Sequence, residues 1–479
     1  MSALDALVVG GGVSGLATAH CLARAGLEVE VWEGAERVGG KIRSVERDGY
    51  RLESAASMVV NIRSALDGFL RSAGLEESTR ARAPMAARYV LAAGRLVEAP
   101  AGFGGLMRTA LLGTRGKLRM FAEPLLPRGR DPHESVAAFV TRRLGREILD
   151  KLFEPYVAGP LASDAEHAEA RATLPMLVAL EQRYGSLALG ALLTGGARRG
   201  IAGRPGVFSF ANGMATLTER LAARGGFRVR RGVQVREAWP VRHGWMARGW
   251  LGEAARAVSC RHLILSTPSH AAAEILRGAD DALAQLLGAV RYAPIKVVHA
   301  GFERERIGHA LDGSGFLVPR GSAFAANGCL WISRLFPDHA PRERVLLTSY
   351  LGGARNPDAA AWDASRSTDA VLHMLRTLLG ARGEPDMVHV ETHERGLPLY
   401  HGAYSALLAA IDRRLESLPG LHLEANYRGG VSVRDRVACA ERAALRILRD
   451  REAAAQRASK NVRAHAAVAA FAPVAAPMP

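Results

Sequence analysis

"DALVVGGGVSGLATAHCLARAGLEVEVWEGAERVGGKIRS", Asp5–Ser44, decides the fold. Residues 5–11 form a β-rich apolar run with little alternation, as expected of a strand buried on both faces. Gly10, Gly12 and Gly15 then spell G-x-G-x-x-G, and a helical stretch follows that Gly26 stops. The second strand, "LEVEVWE", ends on Glu33. In such a βαβ opening each glycine has its own duty: a tight turn, close approach to a pyrophosphate, and close packing of helix on strand. The helix N-terminus, with Val13 and Ser14, turns free N–H groups and a positive dipole end to phosphates. Glu33 stands about 20 residues on, where the acceptor for a ribose hydroxyl belongs.

A second set of phosphate-reading residues follows at once: Arg37, Gly39, Gly40, Lys41 and Arg43. The glycines let backbone approach the pyrophosphate from another side, and the arginines can pair with its charge bidentately. A nicotinamide site rarely needs this clamp, so the pattern points to non-covalent FAD. "EGAERVGGKIRS" resembles the E-x-x-x-R-x-G-G-[KR] signature of the FAD-binding amine oxidase and phytoene desaturase superfamily. That resemblance implies further cofactor contacts: the backbone of Val233 in "RRGVQVREA" for adenine, and Thr267 in "HLILSTPSHAA" beneath the cofactor. It adds Gly430, Val431 and Asp435 in the C-terminal flavin segment.

The chain has 479 residues, enough for two or three domains. No uncharged apolar run reaches about 18 residues, so no transmembrane helix is expected. The N-terminus enters the first strand without a charged leader region. Cys21, Cys260, Cys329 and Cys439 are scattered, without metal or redox spacing. A cytoplasmic setting follows as the expectation. The net charge of +16 is spread among arginines with no aromatic-interleaved stripe, so nucleic acid is not expected as a partner. His389 and His393 in "HVETH" have strand character and no third ligand, so no metal is expected either.

The expected architecture is α/β: a discontinuous Rossmann-type FAD-binding domain, an antiparallel-sheet substrate domain and an inserted helical subdomain. FAD-binding parts fall at 1–84, 206–290 and 406–452. The helical, substrate-binding part falls at 85–205, where "HESVAAFVTRRLGREILDKLF" and "TLPMLVALEQRYGSLALGALL" carry apolar residues at helical spacing. The substrate sheet falls at 291–405. The Ala-rich stretch 453–479 is expected to be a disordered tail.

Within the superfamily the chain resembles the oxygen-dependent protoporphyrinogen oxidases. "FEPYVAGPLASDAEHAEARATLPMLVALE" (Phe153–Glu181) resembles their helical-region motif. "VFSFANGMATLTERLA", "YAPIKVVHAGF" with "SGFLVP", "LFPDHAPRERVLLTSYLGGARNP" and "LPGLHLEANYRGGVSVRDRVACA" continue the match along nearly the whole chain. The resemblance implies oxidation of protoporphyrinogen IX to protoporphyrin IX, a late step of haem biosynthesis. Six electrons would leave in three two-electron cycles, with dioxygen as acceptor and hydrogen peroxide released. No protein general base is required, because aromatisation drives the reaction and the cofactor carries the chemistry.

For the substrate, the resemblance implies that Arg88 meets a propionate, that Asn61 makes a polar contact, and that Phe316 and Leu317 pack on the macrocycle. It also implies peripheral membrane contact, for which "FGGLMRTALLGTRGKLRMFAEPLLP" (Phe103–Pro127) has suitable apolar and basic residues. Hand-off of product to a ferrochelatase is a further implied partnership. The oligomeric state stays open, a homodimer included. Three departures from the family pattern surround the flavin: Ala55 and Ala56 in "LESAASMV", Glu424 and Ala425 in "LEANYRGGVSVRD", and Leu399. Ala55 is expected to be strained if its position needs φ above zero. Alternatives therefore stay open: coproporphyrinogen III as substrate, a catalytically weak FAD- or porphyrin-binding homologue, or a carotenoid or amine oxidation.

Overall fold

The computed structural model describes residues 3–61, 65–75, 80–84, 87–100, 102–195 and 206–470. For 61, 65, 80–84, 103, 195 and 453–470 it describes only the backbone. The opening unit is strand Leu4–Val9, helix Val13–Arg24 and strand Val29–Trp32. Successive residues of Leu4–Val9 point to opposite faces, and both faces are covered. Ala6 and Val8 enter one hydrophobic cluster, with Leu16 and Leu22 of the helix and Val437 of the last helix. Leu7 and Val9 enter another, with Leu263, Leu265 and Leu423.

These strands sit in a seven-stranded sheet ordered Arg228–Arg230, Val29–Trp32, Leu4–Val9, Ala254–Leu265, Gly244–Leu251, Val233–Val241, with Leu421–Leu423 also pairing with Ala254–Leu265. The central pairings are parallel, whereas Val233–Val241, Gly244–Leu251 and Ala254–Leu265 form an antiparallel meander. The sheet thus gathers three well-separated stretches of chain.

A second seven-stranded sheet runs Met387–Pro398, Tyr292–Glu303, Arg344–Gly352, Ala326–Trp331, Gly315–Leu317, Arg88–Ala92, Arg95–Glu98. Its last two strands correct the expected boundary, which gave residues from 85 to the helical subdomain. Ala93 (φ 48°) and Gly94 (φ 75°) close a tight hairpin between them. Two consecutive left-handed residues match the right-handed twist of paired strands. Helices begin at Gly102 and continue through Leu187–Gly195 around a core of Leu112, Phe139, Val140, Ile148 and Val157. The last helix, Val433–Ala470, also continues through much of the stretch expected to be disordered. Alanine, the strongest helix former, accounts for that. Residues 471–479 lie outside the described residues.

Candidate active site

One cavity of about 1880 Å³ runs from the first glycine turn to the helical subdomain. Backbone builds its cofactor half. A Cβ on Gly15 would stand 2.0 Å from the Gly10 carbonyl oxygen, so only glycine lets the helix begin this close to the strand. The Gly39 amide donates to the Gly11 carbonyl at 2.8 Å, and Gly39 bridges Gly12, which stitches the two glycine loops edge to edge. Gly10, Gly12, Val13, Ser14, Gly39, Gly40 and Lys41 all line the cavity. Burial lowers the Lys41 ammonium pKa, and the group lies 5.9 Å from the centroid of the Tyr292 ring.

Glu33 also lines the cavity. Its carboxylate accepts the Gly11 amide at 2.6 Å and the Ala35 amide at 2.8 Å. A carboxylate has about four acceptor sites, so two remain for a ribose. At the far end of the chain, Gly430 (φ 106°), Val431 and Asp435 reach the same wall. The Ser432 hydroxyl caps the final helix by accepting the Asp435 amide at 3.1 Å. Two helix N-termini therefore open onto one cavity, the arrangement phosphates favour.

The residues present fit FAD. Ser266 Oγ and Thr267 Oγ1 are buried without a hydrogen-bond partner, and both residues line the cavity. Buried hydroxyls normally find partners, and a polar cofactor over these two would supply them.

Three expected cofactor contacts are placed differently. Arg37 donates to the carbonyls of Gly40 (2.8 Å), Val38 (3.2 Å) and Ile42 (3.3 Å). Its guanidinium braces the second glycine loop instead of facing a phosphate, because left-handed Gly39 and Gly40 leave those carbonyls without ladder partners. Arg43 is exposed and off the cavity wall. The Val233 amide donates to the Glu33 carbonyl at 2.9 Å, where its strand starts beside the end of Val29–Trp32, so that amide is not left for adenine. Val233 still lines the cavity, beside Gln234 and Val235.

The substrate half is apolar with one half-buried cation. Arg88 starts the strand Arg88–Ala92, which runs parallel to Gly315–Leu317 with Arg88 opposite Gly315. Arg88, Phe316 and Leu317 thereby share a wall with Ile295, Val297 and Leu351. The Arg88 guanidinium has no hydrogen bond or ion pair among the described residues. Burial lowers its pKa, and the Tyr156 and Tyr350 phenols are the neighbours that oppose this. The backbone of Asn61 pairs with Gly206, and its side chain lies outside the described residues.

Ala55 and Ala56 line the cavity, but neither has positive φ, so the expected strain at Ala55 is absent. Glu424 is off the wall, with its carboxylate paired to Arg446 at 2.7 Å. Leu399 packs with Ala162 and Ala293. Among these departures Ala55, Ala56 and Ala425 reach the cavity. His393 Nε2 meets the Ser54 carbonyl at 2.6 Å, and His389 Nδ1 lies 3.2 Å from Arg47.

Sequence reasoning missed Glu53, Tyr350 and Arg171. Burial raises the Glu53 pKa to about 8, although its carboxyl accepts the Met214 amide and the Ser44 hydroxyl. An acid inside the strand "YRLE" was the only signal. Tyr350 lines the cavity, with its hydroxyl 3.3 Å from Ser57 Oγ.

Residues 13–448 match the family described as flavin containing amine oxidoreductase. The mitochondrial protoporphyrinogen oxidase of Nicotiana tabacum is 32% identical over 464 residues, covering 90% of this chain and 92% of that protein. The coproporphyrinogen III oxidase of Bacillus subtilis (strain 168) is 26% identical over 450 residues, covering 90% and 94%. A solved structure from Exiguobacterium sp. 255-15, whose name also refers to protoporphyrinogen oxidation, superposes with a TM-score of 0.77 at 24% identity, covering 93% of this chain and 99% of that one. At that identity it speaks for the fold. The chain is a flavin-dependent oxidoreductase that takes FAD, and it belongs to the flavin containing amine oxidoreductase family, in its protoporphyrinogen oxidase branch.

Proposed function

We propose that the chain oxidises protoporphyrinogen IX to protoporphyrin IX. The observation that carries this reading is Arg88, a cation without a counter-charge among the described residues, on an apolar wall that continues from the dinucleotide cradle. An apolar macrocycle with carboxylate arms satisfies both features. When bound, FAD supplies the hydride acceptor, and dioxygen takes the electrons, so that three oxygen molecules leave as three of hydrogen peroxide while the substrate loses six hydrogens.

The chain's residues bind and orient. Phe316 and Leu317 exclude water from one face of the substrate, and Arg88 fixes its rotation by holding a carboxylate. None of the described cavity side chains needs to act as a base, since release of protons is driven by aromatisation. Coproporphyrinogen III is the second reading, supported by the Bacillus relative. Peripheral binding to anionic lipid is also proposed, because exposed apolar residues gather in the helical subdomain.

Aerobic incubation of the flavin-loaded protein with each porphyrinogen, followed by porphyrin fluorescence against an enzyme-free control, tests the reading. Fast protoporphyrin formation is expected. A strong preference for coproporphyrinogen would move the assignment to the sister substrate, and acceleration of neither would overturn it.

A further inference from the structure

The helical subdomain contributes a further cation to the substrate half of the cavity. Arg171 stands in the short helix Ala170–Thr173, and Ala172, Leu174, Pro175, Met176 and Leu177 line the cavity beside it. Met176 is 56% exposed and Tyr156 is 44% exposed, which places this segment at the rim. Arg171 has no hydrogen bond or ion pair among the described residues.

Arg171 also borders a smaller pocket that it shares with Asp131, Glu134 and Glu181. Asp131 accepts the His133 amide at 2.8 Å, and the other acids near it hold other partners. Glu169 holds His133 (2.7 Å) and the Ser405 amide (2.7 Å). Glu134 and Glu181 both hold Arg142 at 2.8 Å. The carboxylates that do line the cavity, Glu33, Glu274 and Asp435, sit on cofactor-side elements. The substrate half therefore offers two guanidiniums without an ion pair among the described residues, one half-buried and one at the mouth, and no carboxylate lines this half of the cavity. Thr173 Oγ1, two residues on from Arg171 and also lining the cavity, is buried without a partner among the described residues.

We propose that Arg171 receives a second carboxylate of the substrate at the cavity mouth, so that Arg88 and Arg171 together select a two-carboxylate porphyrinogen. The assignment rests on the porphyrinogen reading above. A tetracarboxylate would bring two further charges against the apolar wall, which costs binding. Arginine suits the task because its planar fork meets a carboxylate through two parallel bonds.

The test uses the flavin-loaded protein and its R171Q and R171K variants. Protoporphyrin IX and its dimethyl ester are titrated by fluorescence, and KM and kcat are measured with protoporphyrinogen IX. R171Q should weaken binding of the diacid by about tenfold, the size of one lost charged hydrogen-bond contact. It should leave the diester and kcat unchanged and raise KM in step, and R171K should recover part of the loss. Wild-type affinity for the diacid in R171Q, or an equal loss for the diester, overturns the proposal while the porphyrinogen reading stands. A wild-type protein that binds neither porphyrin and oxidises no porphyrinogen overturns that reading and this one with it.

Discussion

Arg37 donates to the carbonyl of Gly40 at 2.8 Å, so the arginine nearest the second glycine pair is tied to the loop it belongs to. With Val38 and Ile42 also held, one guanidinium fixes three carbonyls. Its effect on FAD is then indirect, through a loop set in shape before the cofactor arrives. R37A should weaken FAD binding by about tenfold, from the loss of charged hydrogen bonds. The loss should be equal at low and high salt, because no phosphate charge is involved. Titration of apoprotein with FAD at two ionic strengths checks this, and a loss that disappears at high salt would show phosphate pairing instead.

Glu53 makes stability depend on pH in an uncommon direction. Burial raises its pKa to about 8 from 4.5. Between those values the folded chain holds a proton that the unfolded chain has released. Stability must therefore fall as pH rises through the window and level off above about 8. E53Q keeps the shape and stays neutral, so its Tm relative to wild type should climb steadily from about pH 5 to about 8. A constant Tm difference across that range would mean that Glu53 is ionised in the folded chain throughout.

Arg88 should control substrate affinity more than turnover of bound substrate. R88Q removes the half-buried cation while keeping a polar side chain. The expected loss in kcat/KM is about 10- to 100-fold, the range for a charged hydrogen-bond pair shielded from water. Most of it should appear in KM. FAD content, read from the visible spectrum, should not change, since Arg88 stands on the substrate sheet. Loss of flavin in R88Q would place this arginine in the wrong half of the cavity.

Much of the cofactor half was legible because its constraints are local. A glycine that needs positive φ, or whose Cβ would strike backbone, is visible as a glycine at a fixed spacing. The partners of charged groups are not local. Arg37 reads as a phosphate ligand until its three carbonyl bonds are known, and Glu53 reads as an ordinary strand acid until its burial is known. Arg171 is one arginine in an arginine-rich chain, and what distinguishes it is its place on the cavity wall without an ion pair among the described residues. The strands of residues 88–98 were hidden because their own sheet forms with residues more than two hundred positions away, such as Gly315.

Ala55 offers a direct check on the strain argument. Had a left-handed backbone been required there, A55G would relieve strain and raise stability. The structure puts Ala55 outside that region. A55G should therefore lower stability by about 0.5–1 kcal/mol, from the greater freedom of glycine in the unfolded chain. Thermal denaturation of wild type and variant decides the sign, and a higher Tm for A55G would restore the strained reading.

The helical subdomain carries a surface whose chemistry differs from the rest. Eight of the twelve large hydrophobic side chains exposed among the described residues lie between Leu118 and Leu193. Leu118 and Phe121 are 66% and 58% exposed on the helix Thr114–Phe121, and Leu125 is 86% exposed just beyond it. Arg115, Lys117 and Arg119 share that helix. No described helix is long and apolar enough to cross a membrane; this surface is proposed to rest on one. Apolar side chains would enter the headgroup boundary while the basic ones meet anionic lipid. Each buried Leu or Phe is worth about 1.5–3 kcal/mol. Replacing Leu118, Phe121 and Leu125 together by serine should then cut partition onto anionic vesicles by at least about tenfold. Flotation with anionic and with neutral vesicles measures it. Salt should weaken the wild-type association only in part, since the apolar share is not screened. A wild-type chain that does not float with anionic vesicles would sink the proposal, as would a triple variant that floats unchanged.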